Sequence, residues 1–254
     1  MPTFASFDGL QLSYTVWEGR GRPVLLQHGF AADTNANWIA PGVVDTLQDA
    51  GLTVISLDAR GHGRSAKPHD EASYGDDAMV RDVSALLDSL GLDEVSMVGY
   101  SMGAMIALGA VAADPRIRCL AIGGVGSGIV DFGGVDTRVV TPEAISEALL
   151  ASDPSTLPPS SAPFRALADA LRADRIALAA VARGTANPKL DLTAIAVPTL
   201  ILAGDTDPLA AEPERLAAAI AGARLVRVPG DHMAAVMHPA FGSALAGFLT
   251  SHDL

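Results

Sequence analysis

Cysteine is almost missing from this chain of 254 residues. The single one, Cys119, leaves no internal disulfide and no multi-cysteine metal site. It stands in the apolar run Arg118-Cys-Leu-Ala-Ile122, which reads as a buried strand and makes the thiol a core group rather than a nucleophile. Positive charge is scarce as well. Seventeen Lys and Arg against 29 Asp and Glu give a net charge of −12, which argues against nucleic acid or an anionic membrane as partner. The acidic residues are spread along the chain rather than gathered in a tail, as solubility alone would require. No uninterrupted apolar run approaches a membrane span, although 49% of the residues are hydrophobic; much of that excess is Ala. The opening Met-Pro-Thr-Phe-Ala-Ser-Phe-Asp lacks the basic segment and apolar stretch of a secretory leader, so a cytoplasmic location is expected. No internal repeat is visible, and no Gly-X-Gly-X-X-Gly begins a helix after a strand.

The length suits one large domain, or one domain carrying an insertion. Leu10–Trp17 alternates like a half-exposed strand, while Pro23–Gln27 and Leu52–Leu57 are compact apolar runs. Asp76–Leu90 has helical spacing, with Met79, Val83, Leu86, Leu87 and Leu90 on one side and Gly91 as a stop. Val95–Val98, a helix from Ser101 to about Ala113, and Ile117–Ile122 form a strand, helix, strand unit. Such alternation predicts a mostly parallel sheet covered on both faces. From Gly123 to about Leu192 the texture changes. Pro142–Ala151 is a short helix, Ser152–Pro163 an irregular connection, and Phe164–Ala182 a long Ala-rich helix. The alternation then resumes with strand Val197–Ala203, helix Pro213–Ala221, strand Arg224–Val228 and helix His238–Leu249. The expected organisation is a core of residues 1–127 and 193–254, with 128–192 inserted as a helical cap.

The chemistry-bearing motif is Gly99-Tyr100-Ser101-Met102-Gly103, at the junction of a strand and a helix. A chain that reverses there must strain its backbone at the serine and lift the hydroxyl above the sheet edge. By itself the motif is equally well a Gly-containing turn. A serine hydroxyl needs a base within hydrogen-bond reach, usually a histidine oriented by a carboxylate. Of six histidines, His69 and His252 read as surface residues. His28 and His62 suit structural hydrogen bonds, and His238 precedes a proline at a helix start. His232, in Pro229-Gly-Asp-His-Met233, lies just beyond the last strand, where parallel sheets place functional groups. Asp205 and Asp207 both follow the preceding strand, and either could simply cap the next helix.

Taken together, His28-Gly29-Phe30, Asp58-Ala-Arg-Gly-His-Gly-Arg-Ser65, the pentapeptide, Ala203-Gly-Asp-Thr-Asp-Pro208 and Gly230-Asp-His232 resemble the α/β-hydrolase fold superfamily in its serine-nucleophile, esterase-like branch. The resemblance covers nearly the whole chain outside the insertion. It implies Ser101, Asp207 and His232 as the catalytic triad, with Asp205 a turn residue. It also implies an oxyanion hole built from the backbone N–H groups of Phe30 and Met102. Asp58–Ser65 is given a shaping role and no chemistry, and Asp231 departs from the commoner small residue beside the histidine and is expected to face solvent.

The expected reaction is therefore cleavage of an ester or related acyl bond through an acyl-enzyme, with no metal or organic cofactor. Serine at position 101 sets the chain apart from relatives with an Asp nucleophile, such as haloalkane dehalogenases. Cofactor-free perhydrolases, carbon–carbon bond hydrolases and a non-catalytic hydrolase-fold ligand receptor stay open. The cap contains only Phe132 and Phe164 as aromatics beside many Ala, Val and Leu, which predicts a mainly apolar pocket for a small-molecule substrate. Trp38 and Met102 are candidates to line it or to join the core. The sequence pattern is silent on oligomeric state.

Overall fold

Strands that are apolar on both faces must be covered on both faces, and the helices between them supply the cover. The computed structural model describes residues 2–75, 77–134, 136–185 and 189–252. Its eight strands are β1 (Thr3–Ala5), β2 (Gln11–Trp17), β3 (Val24–Gln27), β4 (Val54–Leu57), β5 (Val95–Tyr100), β6 (Ile117–Gly123), β7 (Thr199–Gly204) and β8 (Arg224–Val228). They form one sheet in the order β1-β2-β4-β3-β5-β6-β7-β8. Only the β1–β2 and β2–β4 pairs are antiparallel; the remaining pairs are parallel. Every residue of β3, β4, β5 and β7 is buried.

Between the strands run α1 (Val43–Asp49), α2 (Ala78–Leu90), α3 (Met102–Ala113), α4 (Ser127–Phe132), α5 (Pro142–Leu150), α6 (Ala162–Ala170), α7 (Arg175–Gly184), α8 (Pro213–Ala219), α9 (Ala234–Met237) and α10 (Pro239–Ser251). One core layer brings together Met79, Leu86, Ile106 and Leu216 from α2, α3 and α8. A second holds Val43, Leu47, Phe241 and Leu245 from α1 and α10, with Trp38 fully buried among them. Trp38 is therefore a core residue. In α2, Met79, Val83, Leu86 and Leu87 are buried as the spacing predicts, and Gly91 ends the helix with φ 63°. Cys119 is buried, and burial pushes its thiol up to about 11. No helix among the described residues is long and apolar enough to cross a membrane.

The expected helix Phe164–Ala182 is two helices, α6 and α7. The break falls at Arg172, whose φ is 52°, and Asp174 opens α7 by accepting from the Ile176 and Ala177 N–H groups. Ala-rich composition favours one continuous helix, but the turn lets α6 and α7 both pack on α5. Buried Arg165 seals that corner, donating to the Ala148 and Ala151 carbonyls at 3.2 and 2.7 Å. A third apolar cluster joins these helices to Ala31 through Val140, Ile145, Leu149 and Leu178. Helix α4 instead packs against α8, with Asp131 bridging to Arg215 at 2.7 Å. The short strand β1 and helices α1 and α4 have no counterpart in the sequence pattern, being only three to seven residues long.

The sheet edge at β5 leaves almost no room. An added Cβ at Gly103 would lie 2.0 Å from the Gln27 carbonyl oxygen, and one at Gly99 would lie 2.1 Å from that of Gly103. Both glycines are needed for α3 to start beside β3. Gly103→Ala should cost about 3 kcal/mol or more by overpacking against backbone. Thermal unfolding measures this, and an unchanged midpoint would contradict the packing.

Candidate active site

The chain passes from β5 to α3 at Ser101, which has φ 55° and ψ −116°. A non-glycine residue with such angles carries roughly 1–3 kcal/mol of strain. It is held by its own N–H, which donates to the Gly123 carbonyl at 2.8 Å, and by the close approach of Gly99 and Gly103. The strain turns the hydroxyl out toward the loops after β7 and β8. His232 Nε2 lies 3.0 Å from Ser101 Oγ, and His232 Nδ1 lies 2.8 Å from Asp207 Oδ2. The carboxylate can only accept, so the imidazole proton sits on Nδ1 and Nε2 is left to accept from the serine hydroxyl. The Asp207 side chain is fully buried, and its other oxygen accepts from the Leu209 N–H at 2.9 Å. Three residues distant in sequence thus make one hydrogen-bonded line.

The two other carboxylates near this line do different work. Asp205 accepts from the Gly230 N–H at 2.8 Å and ties the β7 loop to the β8 loop. Asp231 is exposed but does more than face solvent: it accepts from the Met233 and Ala234 N–H groups, which close the turn into α9. Those two N–H groups, chiefly, hold its carboxyl below the usual range.

Beside Ser101 lies the His28-Gly29-Phe30 loop. A Cβ on Gly29 would come within 3.4 Å of Ser101 Cβ. The Gly29 N–H donates to Asn37 Oδ1 at 2.8 Å, and the Gly29 carbonyl accepts from the Ala32 N–H at 3.2 Å. The Ala59 N–H donates to His28 Nε2 at 3.0 Å, so the His28 proton is on Nδ1 and is donated to that same Gly29 carbonyl at 2.8 Å. Pinning this carbonyl turns the Phe30 N–H the opposite way, because the peptide is planar and trans. Among the described residues neither the Phe30 nor the Met102 N–H has an acceptor. Both are therefore available to a ligand oxygen at the start of α3.

Under the loop is a buried polar layer. Asp58 accepts from Thr34 and from the Arg64 N–H, and these bonds help hold its carboxylate below the ordinary range despite burial. Burial pushes fully buried His62 down to about 3. Its ring edges onto Phe30, with centroids 5.7 Å apart. The segment 58–65 therefore props the loop from below.

Asn37, Tyr100 and Gly124 are the site residues that sequence reasoning missed. Asn37 lies in a single π-helical turn, Asn35–Ile39, and clamps Gly29. Tyr100 donates its hydroxyl to the His232 carbonyl at 2.7 Å; burial holds that phenol well above its ordinary range. Gly124 has φ 68°, and a Cβ there would touch the His232 ring at 3.0 Å. Tyr100 occupied a variable place in the pentapeptide, and nothing local marked the other two.

Two cavities of about 270 and 310 Å³ meet at Ser101 and share Phe30, Val140, Phe164 and Leu209. Their linings are mainly apolar, and Met102 lines the larger. Among the described residues no group of three or more His, Cys, Asp or Glu has metal-holding geometry.

For a fold of this topology with this corner, comparison with known proteins assigns the family. Residues 22–158 match the alpha/beta hydrolase fold family, and the chain belongs to it. A putative non-heme chloroperoxidase from Synechocystis is 30% identical over 243 residues, covering 84% of each chain. Non-heme chloroperoxidase CPO-A1 of Kitasatospora aureofaciens is 37% identical over 103 residues, or 41% of this chain, but only 35% of that relative's length is spanned. A solved hydrolase from Pseudomonas aeruginosa PA01 superposes with a TM-score of 0.76 at 27% identity, covering 98% of this chain and 97% of the other.

Two measurements probe this geometry. Tyr100→Phe removes the bond to the His232 carbonyl, worth about 1 kcal/mol, so any Ser101-dependent turnover should fall roughly three- to tenfold with the fold intact. Stability should also respond to His62. The unfolded histidine binds a proton near its ordinary value of about 6.5, whereas the folded one stays neutral to about 3. Stability is then lost as pH falls through that window. His62→Asn should flatten the decline of the urea midpoint between about pH 6.5 and 4; an unchanged slope would refute the assignment.

Proposed function

We propose that the protein is a serine hydrolase that cleaves a carboxylic ester, or a closely related acyl bond, of a small to medium, mainly apolar substrate. The observation that carries this reading is the line Ser101–His232–Asp207, with contacts of 3.0 and 2.8 Å. His232 Nε2 takes the proton as Ser101 Oγ attacks the carbonyl carbon. The oxygen charge that develops is met by the Phe30 and Met102 N–H groups; a preorganised donor of this kind lowers a barrier by about 2.7–4 kcal/mol. Asp207 holds the imidazole tautomer and stabilises the imidazolium. The carbon–oxygen bond breaks, and the leaving oxygen carries off the proton from His232. Water, deprotonated by His232, then releases the acid and restores Ser101.

The similarity to non-heme chloroperoxidases favours one second reading, in which hydrogen peroxide replaces water at the acyl-enzyme and a peracid leaves. Both readings need the same Ser101 acyl-enzyme. Peracid formation from acetate and peroxide, followed by bromide oxidation, separates them.

Ser101→Ala should lower ester turnover by at least about 10⁴-fold and abolish labelling by a serine-directed phosphonate, read by intact mass. Asp207→Asn should lower it by about 10²–10⁴-fold through the wrong tautomer. Turnover that survives Ser101→Ala would overturn the proposal.

A further inference from the structure

The two cavities meet at Ser101, but they are not equivalent. The smaller, about 270 Å³, is lined by His232 together with Ala36, Leu167, Val236 and Met237. The larger, about 310 Å³, is lined by Met102, Met105, Ile145, Val181 and Ala182, and His232 takes no part in it. Phe30 and Phe164 stand in both linings as an edge-to-face pair with centroids 6.0 Å apart, and they act as the partition.

Proton transfer decides which half of a substrate goes where. Ser101 Oγ bonds to the carbonyl carbon, and the bond from that carbon to the leaving oxygen breaks. The leaving oxygen must receive the proton that His232 took from Ser101, so it has to lie within reach of His232 Nε2. The carbonyl oxygen points to the Phe30 and Met102 N–H groups, and the acyl chain must leave in the remaining direction. Resting on the ester reading above, we infer that the smaller cavity is the alcohol site and the larger is the acyl site. Each exceeds the ~150 Å³ of an apolar cavity that accepts benzene. The substrate class is therefore an ester with a medium-length or ring-sized apolar group on both sides of the carbonyl, rather than an ester of a very small acid or alcohol. The half-exposed Met233 and Met237, 53% and 52% accessible, rim the alcohol site and give that group its way in.

Three esters test the assignment: ethyl acetate, ethyl hexanoate and hexyl acetate, assayed by kcat/KM on the full chain and on Ser101→Ala. Wild type should prefer both longer esters to ethyl acetate. Ala182→Leu, with Met105→Phe as a second variant, should lower the hexanoate-to-acetate ratio about tenfold and leave the hexyl-to-ethyl ratio within about twofold. Ala36→Leu, with Met237→Phe as a second variant, should do the reverse. Crossed effects, both ratios falling together, or no change in either would overturn the two-site assignment while leaving Ser101-dependent hydrolysis standing. Turnover that survives Ser101→Ala, or no turnover of any of the three esters, would instead overturn the ester reading and this inference with it.

Discussion

The reversal of the chain at Ser101 is the constraint on which the remaining geometry depends. A residue at φ 55° between a fully buried strand and an all-apolar helix persists only if its surroundings over-determine it. Here they do. Gly99 and Gly103 have backbone where other residues need a Cβ, and the Ser101 N–H is tied to β6 through Gly123. Relaxing Ser101 into ordinary backbone would tilt α3 away from β3. The same movement would take the Met102 N–H away from the Phe30 loop and the hydroxyl away from His232.

Two further sets of contacts make that corner rigid from outside. The Gly29 peptide is gripped at its N–H by Asn37 and at its carbonyl by His28 and Ala32, so the Phe30 N–H has one direction. Beneath it, Asp58, Thr34 and His62 form a polar layer in which burial is tolerated because partners satisfy the carboxylate. On the other flank, Tyr100 grips the His232 backbone while Gly124 leaves space for its ring. Apolar side chains from the segment between β6 and β7, Val140 and Phe164 among them, line the space beside Ser101, with Phe164 edge-on to Phe30.

Much of this was legible in sequence because it is local. Strands β2 to β8 and α2 follow from alternation, apolar runs and one-sided spacing, and Gly91 stops α2 where a left-handed residue is required. The pentapeptide and the loop after β8 could be recognised because turn chemistry is short-range. What was lost had no local signal. The break between α6 and α7 depends on packing against α5, and Ala-rich composition conceals it. Asn37 is an asparagine beside a tryptophan until the fold brings Gly29 against it. Asp205 and Asp207 carry the same side chain two residues apart, and position after the strand does not separate them. The family pattern names Asp207, and in the structure Asp207 meets His232 while Asp205 meets the Gly230 N–H.

By itself, then, the sequence determined a parallel sheet between helical layers, a strained serine at a strand-to-helix corner, and a small set of carboxylates and histidines after later strands. These are statements about periodicity and turns, which a few neighbouring residues decide. The tertiary structure alone decided the distances: 3.0 Å from Ser101 to His232 and 2.8 Å from there to Asp207. It also decided that the space around Ser101 is two cavities, with the histidine lining only one. Hydrogen bonds and cavity walls between residues 25 to 131 positions apart depend on how the layers pack, and no local stretch of chain encodes that.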